Sequence, residues 1–263
     1  MSNQDKWEIV KIARNPNRLR SADFVANVFT DFFELHGDRA YGDDPALRCG
    51  LANLDDQPVM LLTQDRGHAY EEEQKRNFGM AEPEGYRKCI RLVRQAEKFR
   101  LPVICMIDTP GAFSGVGAEY RGQASAIAFC LQELSKLKTP VVSIILGEGG
   151  SGGALALAAA GSVYMFEYSF YSILSPEGFA NILYKDPTKK VEAARVMKIT
   201  AQDLLGLGVI DGIIPEDPEG NWKHPEESYR QVKEILKKEL AIKMKLSPER
   251  LVAYRQARYR LFY

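Results

Sequence analysis

Two short apolar runs, each ending in a glycine-bearing turn that leads into helix-forming sequence, constrain this chain more than any other feature. The first runs Val103-Ile104-Cys105-Met106-Ile107 into Asp108-Thr109-Pro110-Gly111-Ala112. The second carries Val141 to Leu146 into Gly147-Glu148-Gly149-Gly150-Ser151-Gly152-Gly153-Ala154. A strand that feeds directly into a helix leaves unpaired backbone N–H groups at the helix start, where the helix dipole adds partial positive charge. Donors of this kind stabilise an oxygen that becomes anionic during a reaction. In the second turn Gly149 and Gly150 let backbone approach a ligand with no Cβ between them, and Gly152 and Gly153 present the amides. The plainer alternative is that such small residues only allow tight helix–sheet packing. The alanines that follow (Ala154, Ala156, Ala158, Ala159, Ala160) suit a closely packed helix.

The rest of the chain interleaves strands and helices, which predicts an α/β fold. Helices are expected at 4–14, at 22–35 (the stripe Phe24, Val25, Val28, Phe29, Phe32, Phe33), at 86–100 and at 117–136. Shorter ones follow at 177–183, 189–197 and 201–206, with two longer ones at 226–245 and 248–261. Strands are expected at 47–54 and 58–63, joined by Asp55-Asp56-Gln57, then at 103–107, 141–146, within 163–174 and at 209–214. Residues 64–82, charged and polar, read as a loop. No linker or low-complexity segment divides residues 1–263. One domain is therefore expected, with its core at about 20–215 and a helical region at about 226–263. In that region Val232, Ile235, Leu236, Leu240 and the tail Leu261-Phe262-Tyr263 form an apolar face, either for a subunit interface or for packing on the same domain.

Composition excludes several classes. Lys plus Arg, at 35, equals Asp plus Glu, at 35, so no overall field draws the chain to nucleic acid or to a membrane. The polar start, Met1 to Lys11, lacks the apolar stretch of a secretory signal, and no segment is long and apolar enough to span a bilayer. Cys49, Cys89, Cys105 and Cys130 have no C-x-x-C spacing and read as reduced thiols, without a metal site, in a cytoplasmic protein. No P-loop pattern is present, so no ATP site is expected on this chain.

Several site readings stay open on the residues alone. Gly149-Gly150-Ser151-Gly152-Gly153 fits G-x-S-x-G, which would make Ser151 a hydrolase nucleophile, with only His224 downstream as a base. Glu119 and Glu148 are the carboxylates nearest the glycines, and a hydratase or isomerase would use one as acid or base. The plainer reading has Glu148 bracing the loop and Glu119 facing water. Gly111 and Ala112 offer either a second anion pocket or an ordinary turn closed by Asp108. Arg87, Arg91, Arg94 and Lys98 line one helix face. With Lys75, Arg76 and Lys88 nearby, they form either a phosphate-binding surface or a solvated one. His36 and His68 have no partner at metal-ligand spacing.

Taken together, these segments resemble a known family. Gly37 to Asp44 (GDRAYGDD), Arg76 to Met80, Pro83 to Lys88 and Ile107 to Ala112 carry the resemblance. Gly115 to Glu119, Gly147 to Leu155 and Ser175 to Gly178 extend it. The chain is similar to the α subunits of bacterial acetyl-CoA carboxylase carboxyltransferases over about residues 20–215. It departs at Ser114, where proline is common, and at Arg66-Gly67-His68, where Lys-Gly-Arg is usual. The resemblance implies a crotonase-type superhelix of β-β-α units. It implies transfer of a carboxyl group from carboxybiotin, on a separate carrier protein, to acetyl-CoA. The product is malonyl-CoA, for fatty-acid synthesis. A zinc-ribbon β subunit in an α2β2 assembly, the biotin carboxyl carrier protein and an ATP-using biotin carboxylase are the implied partners. Gly152 and Gly153 are the implied oxyanion pair, with Gly111 and Ala112 the weaker candidates. From the residues themselves, Arg76, Arg87, Arg91, Gly149 and Gly150 are the expected substrate contacts.

Overall fold

The computed structural model describes residues 5–262. Among the described residues, eight strands form one sheet in the order β1-β2-β3-β4-β5-β6-β8, with β7 paired to β5. They are β1 (Thr30–Glu34), β2 (Leu47–Leu54), β3 (Gln57–Gln64), β4 (Val103–Thr109), β5 (Val141–Gly150), β6 (Ser162–Phe166), β7 (Phe170–Ser172) and β8 (Gly212–Ile214). β1, β2 and β3 run antiparallel, and the pairs from β3 to β8 are parallel. Every residue of β4 and β5 is buried, as parallel strands covered on both faces require.

Side-chain alternation divides the core into two layers. Val103, Cys105 and Ile107 face the helices Pro83–Phe99, Gln123–Lys136 and Ser151–Ala158. Ile104 and Met106 face the opposite way, towards Phe24 and Val28 of the helix Ser21–Val28 and Val232 and Leu236 of the helix Pro225–Lys243. All four cysteines are buried. Among the described residues, no helix is long and apolar enough to cross a membrane.

Several boundaries differ from those expected. The 22–35 helix stops at Val28, and Thr30–Glu34 becomes the edge strand β1 on β2. Its aromatic residues suit a strand as well as a helix face, and the free edge of the hairpin decides between them. Phe33 is left 66% exposed. The 64–82 segment contains a short helix, Tyr70–Lys75, and a turn of tighter helix, Asn77–Gly79. The 117–136 helix is two, Val116–Tyr120 and Gln123–Lys136, broken at Gly122 with φ 83°. β4 and β5 each run beyond their expected ends into the glycine turns. Val232, Leu236 and Leu240 pack on this chain's own sheet, so that helix face is core and not interface. Residue 4 of the first expected helix and Tyr263 of the tail lie outside the described residues.

Candidate active site

The two glycine turns meet. Ile107 pairs with Ile145 and Thr109 with Gly149, so Asp108 alone faces Leu146, Gly147 and Glu148 in a wide bulge of β5. Beyond it, backbone packs on backbone. A Cβ on Gly150 would lie 2.1 Å from the Pro110 carbonyl oxygen, and one on Gly153 2.6 Å from the Gly111 carbonyl carbon and 2.7 Å from the Ala112 nitrogen. Only glycine permits this approach. Gly152 is different, since its Cβ would meet Ile127 at an ordinary 3.6 Å.

Ser151 turns the chain from strand to helix at φ 54°, a left-handed conformation that is costly for a residue with a Cβ. A left-handed residue followed by helical ones aims successive N–H groups into one concavity, an anion-binding nest. Among the described residues, the Gly152 and Gly153 amides donate to no side chain and to no backbone acceptor outside the regular helix and strand ladders. The first amides of a helix have no acceptor inside it either. The Gly111 amide, by contrast, donates to Thr109 Oγ1 at 3.1 Å, which leaves Ala112 as the donor still unspent in the first turn. Ser151 and Gly152 open on a cavity of about 640 Å³ whose walls include Leu155, Tyr171, Ile173, Phe179 and Met197.

Behind the turns lies a buried ion network that the sequence reading did not identify. Asp108 is 1% exposed; it pairs with Arg20 at 2.8 Å and accepts the Glu148 amide at 3.0 Å. Glu148, 3% exposed, pairs with Arg14 at 2.8 Å and Arg66 at 3.3 Å. Arg18 pairs with Glu216 at 3.0 Å and donates to the Leu146 carbonyl at 2.7 Å. The spacing Arg14, Arg18, Arg20 was the available signal, but only the fold reveals which acids those side chains reach.

This arrangement bears on each alternative. Glu148 braces the loop and is held by two guanidinium groups, so it is not a free acid or base. Glu119 is exposed and lies with Ser114, Val116 and Tyr120 around a separate surface depression. The Ser151 hydroxyl has no histidine or carboxylate bonded to it among the described residues, and His224 pairs with Asp217 elsewhere. Of the basic candidates, the arginines and Lys88 have partners within the chain. Arg76 pairs with Asp65, and Arg87 with Asp38 at 2.7 Å. Arg91 donates to the Gly37 and His36 carbonyls, each at 3.1 Å. Arg94 pairs with Glu133 at 2.9 Å. Gly149 and Gly150 lie in β5 and pair with Tyr171 and Ser172 of β7.

The family described as acetyl co-enzyme A carboxylase carboxyltransferase-like matches residues 1–262. The acetyl-coenzyme A carboxylase carboxyl transferase subunit alpha of Clostridium perfringens is 54% identical over 232 residues, covering 88% of this chain and 86% of the relative. That of Vesicomyosocius okutanii is 49% identical over 255 residues, covering 97% and 79%. Among solved structures, a transcarboxylase 12S superposes with a TM-score of 0.70 at 20% identity, over 91% of this chain and 45% of its own. A Pseudomonas malonate decarboxylase hetero-dimer superposes with a TM-score of 0.66 at 19% identity, over 83% and 89%. These two likenesses are of fold: a crotonase-like α/β architecture. With backbone amides gathered beside a cavity and a match along nearly its whole length, the chain belongs to the acetyl-CoA carboxylase carboxyltransferase-like family.

Proposed function

We propose that this chain is the α subunit of an acetyl-CoA carboxylase carboxyltransferase, a transferase that forms malonyl-CoA from acetyl-CoA for fatty-acid synthesis. The nest at Ser151, Gly152 and Gly153, of which Ser151 and Gly152 line an apolar cavity and Gly153 lies buried behind them, is the observation that carries this reading. Carboxyl transfer to a thioester generates negative charge on oxygen, and backbone donors fixed in place stabilise it without reorganising. Biotin, brought by a separate carrier protein, supplies the carboxyl group and afterwards the base, so the chain needs no nucleophile of its own. Its residues have narrower tasks: the Gly152 and Gly153 amides hold an oxyanion, the Ala112 amide is a further donor, and the walls at Leu155, Tyr171 and Phe179 exclude water. The ion-paired state of Glu148 agrees with a site that uses no carboxylate as a base.

The partners follow from the same reading. A zinc-ribbon β subunit completes the site in an α2β2 assembly. The biotin carboxyl carrier protein delivers the substrate, and ATP is spent on a separate biotin carboxylase. Exposed apolar side chains on the described surface, such as Ile173 at 85% and Ile182 at 63%, suit association. The test is malonyl-CoA formation by the purified chain with its β partner and carboxylated carrier. Activity is expected from the mixture and not from either subunit alone. Gly152→Val and Gly153→Val keep the backbone N–H groups but displace them through bulk against Ile127 and against the Gly111–Ala112 backbone, and each is expected to lower kcat by about 100-fold. Full activity from both variants would eliminate the nest as the catalytic element. Turnover of an enoyl-CoA by the isolated chain would favour a hydratase instead.

A further inference from the structure

We propose that Asp108 is a positioning residue for the oxyanion nest, acting through the β5 bulge. The proposal rests on the carboxyl-transfer reading above. Three residues of β5 span the distance that one residue of β4 covers, and this carries Gly150 to Gly153 forward over Pro110 to Ala112. Asp108 is the residue opposite the bulge, and its carboxylate occupies the gap. Oδ1 accepts the Glu148 amide at 3.0 Å, and a Cβ on Gly147 would come within 3.0 Å of the same oxygen. Oδ2 accepts from Arg20 at 2.8 Å. One side chain therefore fastens the end of the first turn's strand to the residue just before the second turn's glycines.

The surrounding cations keep this tie in its ionised form. Burial alone drives the Asp108 carboxyl upward, but Arg20, Arg66 and the Glu148 amide outweigh it and hold the group below its usual range. Arg20 comes from the segment between the first two helices and Arg66 from the end of β3, so the tie is fixed from two further directions. Bulges beside active sites re-aim the groups that follow them. Here the groups re-aimed are the amides at 152 and 153, against a first turn less than a Cβ away.

The test compares Asp108→Asn and Gly147→Ala with wild type, all assembled with the β partner, with rates expressed per assembled complex. Asparagine has one acceptor oxygen where aspartate has two, so its N–H₂ group must face either the Arg20 donor or the Glu148 amide, and one side chain can no longer hold both. Alanine at 147 presses on the same oxygen, and equally on the Ala13 carbonyl at 3.0 Å, while keeping every charge. An ångström-scale displacement of the nest is expected to lower kcat by about 100-fold while KM for acetyl-CoA stays within about threefold. Arg255→Lys, destabilising at the C-terminal end of the Gln123–Lys136 helix and bonded to neither turn, is expected to leave kcat per complex unchanged. Values of kcat within threefold of wild type in both turn variants would overturn the proposal. So would failure of both to assemble, since the role would then be architectural. If one assembles, its kcat decides. An inactive wild-type complex would instead overturn the carboxyl-transfer reading.

Discussion

At position 153 one added methyl group must meet backbone on the facing turn, whereas at 152 it meets the flexible end of Ile127. The two glycines are therefore expected to separate under alanine substitution. Gly153→Ala is expected to lose about 1–3 kcal/mol of stability, the range for overpacking, together with most of its activity. Gly152→Ala is expected to fold at least as stably as wild type, since alanine suits a helix better than glycine. Urea denaturation alongside the malonyl-CoA assay distinguishes the two. A second residue-scale expectation concerns pH. Burial pushes Asp38 up, yet the Ala40, Tyr41 and Gly42 amides and Arg87 hold it down to about 2 against an ordinary 3.8. A depressed carboxylate contributes stability above its unfolded pKa and loses it as pH falls through the folded one, here between 3.8 and about 2. Asp44 behaves in the opposite sense. Burial, helped by Asp43, raises it to about 6, so the folded state holds an extra proton and loses stability as pH rises from about 4 to 6. Urea midpoints at about pH 3, 5 and 7 for Asp38→Asn and Asp44→Asn should show the two slopes removed separately.

Among the elements, the Pro248–Arg260 helix shows how one side chain holds a segment in place. Arg255 is 1% exposed and has no acid partner among the described residues. It donates to the carbonyls of Leu134 at 2.9 Å, Leu137 at 2.7 Å and Thr139 at 3.1 Å, which closes the C-terminal end of the Gln123–Lys136 helix. A cation at this end also suits the helix dipole. Arg255→Ala removes the donor to the Leu137 and Thr139 carbonyls, while Leu134 keeps the Leu137 amide, and is expected to cost about 3 kcal/mol, read from denaturant unfolding, with Arg255→Lys recovering part of it. The same scale explains what the sequence could and could not tell. The 47–54 and 57–64 hairpin was legible because alternation and a polar turn agree there. The 30–34 strand was not, because Phe32 and Phe33 fit a helical stripe and only the unpaired edge of β2 selects a strand. The basic face of the 83–99 helix was legible as charge but not as role, since Asp38, the 36–37 carbonyls and Glu133 approach it from distant parts of the chain.

At the scale of the whole molecule, the sheet brings the ends of β4 and β5 side by side and leaves apolar side chains facing outward beyond them. Ile182 is 63% exposed on the Pro176–Tyr184 helix. Ile182→Glu should leave the isolated chain's melting temperature unchanged and weaken assembly with the β partner by about tenfold, measured by sedimentation. By itself the sequence determined the α/β class, the two strand–turn–helix units, the glycines in their turns and the family. Those features are local, fixed by periodicity, turn chemistry and the absence of a Cβ. Only the tertiary structure decided that Gly153 rests on Gly111, that the Gly111 amide is already engaged, that Glu148 is braced by Arg14 and Arg66, and that Asp108 ties the turns together. Each of these joins residues far apart in sequence, and an arginine or carboxylate carries no local mark of the partner that burial will bring to it.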